Sequence, residues 1–271
     1  MFMRKLLFLS LILLLSSCIG VEKRREFAAQ MASEARLQRN EVATADFNIL
    51  TYYKVTDTTK PLNIYIEGDG YAMRSREVVS DNPTPINPVS LKIAAVSHAE
   101  NILYIARPCQ YVNLDLEKNC SDLYWTDARY SKKVVDAVDA VINFYQKKYA
   151  IAKINLFGFS GGGAIAVLVA AQRNDIAKIT TIAAALNHSE LSKAHNTLPI
   201  AQSLDPIDFV TKVCAIEQTH MAGSDDEVVL PYTIKAFVDK LNSLNCENKK
   251  EAKYVLVDGL EHGGRWELFI N

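Results

Sequence analysis

The residues with the most chemical content lie in one run, Ile154-Asn155-Leu156-Phe157-Gly158-Phe159-Ser160-Gly161-Gly162. Gly158 to Gly162 fit the pattern G-x-S-x-G, which sets a serine on a tight turn between a strand and a helix. The flanking positions must lack bulk, and glycine both supplies that and tolerates strained dihedrals. The turn lifts the hydroxyl to a helix N-terminus, where backbone N–H groups and the helix dipole favour developing negative charge. A hydroxyl is a weak nucleophile at neutral pH and needs a base, itself oriented by a carboxylate. Of the five histidines, His98 precedes the serine. His188 and His195 fall in a mixed segment and either line a pocket or sit on a surface loop. His220 lies inside a strand-like run and reads as a core or supporting histidine. His262 alone follows the last strand, in Asp258-Gly259-Leu260-Glu261-His262-Gly263-Gly264, where glycines let the loop bend back over the sheet. It is the candidate base. The candidate acids, Asp225 and Asp226, stand at a strand end in Ala222-Gly223-Ser224-Asp225-Asp226-Glu227-Val228-Val229.

An oxyanion formed by attack of Ser160 needs two backbone donors. Gly161 N–H, next to the nucleophile, is one. The other is expected from Glu67-Gly68-Asp69-Gly70, with Asp69 first and Gly68 or Gly70 behind it. An inward carboxylate would oppose an oxyanion, so the Asp69 side chain is expected to point away. Arg107 and Gln110, at the end of another strand, could hold a polar substrate group or brace a loop. Tyr124 and Trp125 either wall the pocket or pack that loop.

The elements that must position these residues alternate. Asp46 to Val55 reads as an edge strand. Leu62 to Ile66, Asn101 to Ala106, Lys153 to Phe159, Lys178 to Ala184, Val213 to Ala222 and Lys253 to Val257 read as further strands. Helical periods run over Ser90 to His98, Ser131 to Tyr149 with Ser131 as N-cap, Gly161 to Arg173 and Tyr232 to Leu244. Residues 187–212 read as mixed loop and short helix, leaving room for only a small lid. The long loop from Arg107 to Tyr130 has the length of a functional one. Strands alternating with helices predict a mostly parallel sheet covered on both faces.

The chain has 271 residues, 49% apolar, 23% charged, with a net charge of −1. That suits one α/β domain, and the charge gives no reason to propose nucleic acid as a partner. Met-Phe-Met-Arg-Lys, then Leu6 to Leu15, then Ser16-Ser17-Cys18 form a secretory signal, with an apolar run too short to span a bilayer. Its end, Leu15-Ser16-Ser17-Cys18, resembles a bacterial lipobox. That resemblance implies diacylglyceryl modification of Cys18 and cleavage before it; an ordinary signal peptide or an N-terminal membrane anchor is the alternative. Ile19 after the cysteine, by resemblance to double-membrane bacteria, favours the outer membrane. Cys109, Cys120, Cys214 and Cys246 remain, and an exported chain implies disulfides. The expected pairs are Cys109–Cys120 and Cys214–Cys246, the second tying a strand to the end of a later helix; free buried thiols are the alternative. No cysteine or histidine cluster suggests a metal.

With these residues in view, residues 46–271 resemble the exported α/β-hydrolase family proteins of bacteria, in lipoprotein form. The resemblance rests on the Ser160 turn, on Gly223 to Val229 and on His262. Arg107-Pro108-Cys109-Gln110-Tyr111, followed by Cys120 and Tyr124-Trp125-Thr126, is similar to a recurring pattern of such proteins. It implies the α/β-hydrolase fold, the chain order serine, acid, histidine, and a G-x-x-D-x-x-V pattern that selects Asp226 over Asp225. Many members carry His-Gly where this chain has Glu67-Gly68; the donor there is backbone. The implied chemistry is two-step acyl transfer without metal or organic cofactor. A carboxylic ester hydrolase is expected first, then a peptidase, thioesterase or depolymerase, then a non-catalytic envelope lipoprotein. The expected organisation is a signal peptide at 1–17, a lipid-anchored tether or helix at 18–45 and the hydrolase domain at 46–271. A monomer on a membrane through Cys18, acting on a small or lipid-like ester, completes the expectation.

Overall fold

The computed structural model describes residues 20–270. The signal run and Cys18 lie outside the described residues. The strands are β1 (Gln38–Ala43), β2 (Asn48–Val55), β3 (Leu62–Ile66), β4 (Asn101–Ile105), β5 (Ile154–Phe159), β6 (Ile176–Ile182), β7 (Glu217–Gly223) and β8 (Lys253–Val257). The helices are α1 (20–34), α2 (Val89–Val96), α3 (Lys132–Tyr149), α4 (Gly161–Ala170), α5 (His188–His195), α6 (Val210–Val213) and α7 (Pro231–Ser243).

The strands form one eight-stranded sheet in the order β1-β2-β4-β3-β5-β6-β7-β8. The pairs β1–β2 and β2–β4 are antiparallel; every other pair is parallel. Side chains alternate across the strands and build two cores. Leu62, Ile64 and Ile66 of β3 face one core, with Tyr65 in the other. Leu103 and Ile105 of β4 join the first, Ile102 and Tyr104 the second. The first core takes the apolar stripe of α3, all of α4 and the inner face of α7; the second takes Ala28 and Ala32 of α1, α2 and Trp266. Burial on both faces is what a parallel sheet requires. Helix α4 is buried at every position, so its apolar composition all round follows.

Several expectations shift. Residues 38–43 form the outermost strand, so the sheet begins inside the segment expected as tether, and Asn48–Val55 is the second strand rather than the edge. Val213 ends α6, and β7 starts only at Glu217. Ser131 stands at the α3 N-cap, yet its hydroxyl makes no capping bond. Both expected disulfides are present, Cys109–Cys120 with Cα atoms 5.6 Å apart and Cys214–Cys246 at 6.7 Å. The second ties the end of α6, not a strand, to the chain just beyond α7. No lid covers the site among the described residues.

The Cys109–Cys120 bridge closes a loop of separation 11 whose one regular element is the 3-10 turn Leu114–Leu116. Replacing both cysteines with serine should cost about 2–4 kcal/mol in urea denaturation. The wild type in reductant, which also opens Cys214–Cys246, should fall at least as far.

Candidate active site

Ser160 takes φ 51° and ψ −122°, a backbone region that a residue with a side chain occupies only under strain, about 1–3 kcal/mol. The surroundings hold it there. Its N–H donates to Ile182 O at 2.9 Å, and its carbonyl accepts from Gly163 N at 3.0 Å. A carbon added to Gly158 would lie 2.3 Å from Gly162 O, and one added to Gly162 would lie 2.2 Å from Ile66 O. The first turn of α4 is thus seated directly on the carbonyl ends of β3 and β5, and only glycine fits at the contact.

The structure brings Ser160, His262 and Asp226 together. His262 Nε2 is 3.0 Å from Ser160 Oγ, and His262 Nδ1 is 2.8 Å from Asp226 Oδ2. Asp226 is buried, and its other oxygen accepts from Val228 N at 2.9 Å and Val229 N at 2.8 Å. Those bonds fix the carboxylate with one oxygen free for the imidazole. Asp225 instead accepts from the Ser224 hydroxyl at the surface. Buried Trp266 donates its indole N–H to His262 O at 2.9 Å, and the Phe159 ring lies 5.0 Å from the imidazole. With Nδ1–H on Asp226, Nε2 is free to take a proton from the hydroxyl.

The oxyanion loop differs in part from expectation. Gly68 N–H already donates to Glu67 Oε1 at 3.0 Å, so it is not a free donor. Gln110 Nε2 donates to Gly68 O at 2.9 Å. Carbonyl and N–H of one trans peptide point opposite ways, so this bond turns Asp69 N–H away from Gln110. Among the described residues, no acceptor pairs with Asp69 N–H. Gly161 N–H, first in α4, has no acceptor a turn back.

The Asp69 side chain does not point away. A carbon added to Gly161 would lie 2.0 Å from Asp69 Oδ1, so the carboxylate rests against that residue. Three groups neutralise it: Arg107 Nη1 at 3.0 Å, Arg129 Nη1 at 3.3 Å and the Tyr130 hydroxyl at 2.7 Å. Burial alone would raise its pKa; the charges of Arg129 and Arg107 and the Tyr130 hydrogen bond outweigh that and hold it below the usual carboxylate range. Arg107 and Gln110, the expected substrate-binding pair, are both buried and line no part of the cleft. Arg107 ties Asp69 to the Arg129 carbonyl, and Gln110 ties Gly68 to Arg107 N at 3.1 Å. They brace the oxyanion loop.

Sequence reasoning missed Glu67, Arg129 and Tyr130. Arg129 and Tyr130 close the long loop just before α3, a position that the loop's length could have signalled. Glu67 follows β3 directly and is fully buried, accepting from Gly68 N and from Ser90 N at 3.3 Å, with the Tyr104 hydroxyl 3.2 Å away. Burial lifts its pKa to about 7 against those hydrogen bonds. Tyr124 and Trp125 pack the loop: Trp125 donates to Ser80 O at 3.1 Å and Tyr124 meets the Phe47 ring.

Ser160 and His262 open into a cleft of about 520 Å³, lined also by Asp69, Met73, Ile86, Arg129 and Val228. A second recess of about 780 Å³ shares Met73, Arg129 and Val228 with it and is walled by Leu191, Leu198 and Ile200. His188, left open between surface and pocket, is buried in the wall of this recess against the Tyr130 ring, with centroids 4.5 Å apart. His195 is half-buried on it, with Nε2 2.9 Å from Val228 O. His220 is a core residue: Nδ1 lies 2.8 Å from the Thr181 hydroxyl, and burial pushes its pKa down to about 3, so it stays neutral.

No protein-family model and no curated protein sequence matches the chain. Solved structures do. Est1E from Butyrivibrio proteoclasticus, also solved with ferulic acid bound, is 16% identical, with 86% of this chain and 93% of that chain covered and a TM-score of 0.58. An α/β serine hydrolase homologue from Coxiella burnetii is 16% identical, with coverage of 86% and 92% and a TM-score of 0.57. XC6422 from Xanthomonas campestris, a serine hydrolase without a lid, is 13% identical, with coverage of 86% and 88% and a TM-score of 0.55. The fold of this chain is the α/β-hydrolase fold.

Glu67 makes stability depend on pH. Below the ordinary carboxyl range it is protonated folded and unfolded alike. Between that range and about pH 7 only the folded chain keeps the proton, so stability falls as pH rises through this window. Glu67→Gln should remove the effect. Its stability relative to wild type should grow by roughly 3 kcal/mol from about pH 4 to about pH 8 in urea denaturation.

Proposed function

We propose that the protein is a serine hydrolase acting on carboxylic esters, with Ser160 as nucleophile, His262 as general base and acid, and Asp226 as its orienting carboxylate. The observation that carries this reading is the imidazole of His262, within hydrogen-bond reach of both the Ser160 hydroxyl and the buried Asp226 carboxylate. Est1E, whose complex holds the carboxylic acid ferulic acid, supports an acyl substrate, and XC6422 is a serine hydrolase without a lid; puromycin hydrolase and an acylaminoacyl peptidase from Pyrococcus horikoshii have the same fold, so an amide substrate is the second reading. The open cleft beside Ser160 agrees with both.

Ser160 Oγ bonds to the ester carbon as its proton passes to His262 Nε2. The carbonyl oxygen takes the negative charge, facing Gly161 N–H and Asp69 N–H. Asp226 holds the imidazole tautomer and stabilises the imidazolium. Collapse breaks the bond to the leaving oxygen, which departs as the alcohol with the proton from His262. Water then repeats the attack on the acyl-enzyme, freeing the acid and restoring the serine. Arg107, Arg129 and Tyr130 keep the Asp69 charge from opposing the oxyanion. The same reading extends to the N-terminus: Cys18 carries the lipid that holds the chain on the cell envelope, the outer membrane first.

A fluorophosphonate probe should label the wild type and leave Ser160→Ala unlabelled; a labelled variant would overturn the nucleophile assignment. With p-nitrophenyl esters, Asp226→Asn should lower kcat about ten-thousand-fold, because the wrong tautomer then faces Ser160, whereas Asp225→Asn should change it little. Cys18→Ala should shift the chain from the membrane to the soluble fraction.

A further inference from the structure

We propose that the mouth of the Ser160 cleft faces a lipid bilayer, with an apolar rim inserted in it, and that the substrates are acyl esters drawn from that bilayer. This rests on the ester-hydrolase reading above and on acylation of Cys18.

The first observation is where the described part of α1 lies. Gly20, Val21 and Arg24 border a surface depression together with Tyr71 and Arg74. Arg24 donates to Thr84 O at 3.1 Å, and its guanidinium lies 4.8 Å from the Tyr71 ring centre. Tyr71 itself lines the Ser160 cleft, as do Pro85 and Ile86 beside Thr84. The first described turn of α1 is therefore docked on the lip of the site. Cys18 stands two positions before Gly20. Two residues reach at most about 7 Å whatever their conformation. Lipid on Cys18 must then enter the bilayer next to the cleft mouth.

The second observation is what the lip carries. Met73, Ile86, Val228 and Leu198 are 36%, 58%, 54% and 88% exposed, and each borders the cleft, the second recess or both. Single exposed apolar side chains are ordinary on a protein surface. Four from three loops, bordering the cleft and the recess that adjoins it, form a rimmed patch, which marks an interaction site. The opposite end of the sheet is different. Its loops read Asp57-Thr58-Thr59-Lys60 before β3 and Glu247-Asn248-Lys249-Lys250-Glu251 before β8. The apolar end is the end that the tether adjoins.

The acyl chains on Cys18 supply membrane affinity, and the rim sets orientation, since apolar side chains settle about 5–10 Å into the headgroup boundary. The apolar walls of the second recess then continue the hydrocarbon toward Ser160. An acyl chain can then follow these walls from the bilayer toward the nucleophile.

The test uses the full-length acylated chain in phosphatidylethanolamine–phosphatidylglycerol vesicles. A polarity-sensitive fluorophore is placed on Ile86→Cys, on Leu198→Cys, and on Thr58→Cys at the far end as reference. The two rim probes should shift to the blue and be quenched by spin labels on the lipid chains, and the Thr58 probe should do neither. Rim probes that behave like the Thr58 probe on vesicle-bound protein would overturn the proposal, as would failure of the chain to bind vesicles. Fluorophosphonate labelling of Ser160 on the same vesicles separates the two readings. Buried rim probes without labelling would overturn the hydrolase reading and leave the orientation standing.

Discussion

The close approach of α4 to the ends of β3 and β5 is the constraint on which the rest depends. A helix can lie against those carbonyls only where Gly158 and Gly162 remove every side-chain atom between them. That approach forces the intervening residue into a positive φ and aims its hydroxyl out of the sheet. It also sets the first N–H of the helix beside the hydroxyl, so nucleophile and oxyanion donor come from one turn. The strain is local, and it is met by burial of the whole of α4 between α3 and the sheet.

Around this turn the protein keeps two carboxyl groups out of water by opposite means. Asp69 remains ionised because two guanidinium groups and a phenol surround it. Glu67 has no cation near it among the described residues and holds its proton to about pH 7. One neutralises its charge by pairing and the other by protonation, and both lie under the loop that must present a backbone N–H to a developing anion. Gln110 and Arg107 link them through the Gly68 carbonyl and the Asp69 carboxylate, so the loop is braced from behind along its length.

Much of this was legible in the sequence because it is local. The glycine spacing around Ser160, the strand before it and the helix after it are written in one unbroken run, Ile154 to Ala170. His262 was identifiable because no other histidine follows the last strand, and Asp226 through the resemblance of Gly223 to Val229 to the G-x-x-D-x-x-V pattern; the structure adds that Val228 and Val229 supply the backbone donors that a buried carboxylate needs. The misplacements are of another kind. Gln38–Ala43 is a strand because it pairs with β2, and its own residues are mostly polar, as an outermost strand allows. Arg107 and Gln110 sit at a strand end where substrate-binding groups belong, but the loop from 107 to 130 folds over them. The direction of the Asp69 side chain depends on Arg129 and Tyr130, sixty residues away in the chain. Contacts of that range leave no local pattern to read.

The contact between Gly161 and Asp69 has a consequence for how such a site can change. The residue after the nucleophile is limited by a carboxylate oxygen that would lie 2.0 Å from any side chain placed there. The carboxylate in turn cannot be removed without leaving buried Arg107 and half-buried Arg129 with unbalanced charge. Substitutions at 69, 107, 129 and 161 are therefore not independent, and their energies will not add. The four positions form one unit of inheritance: a lineage carrying this arrangement has to alter it in concert or retain it whole, even as the walls of the adjoining recess drift one residue at a time.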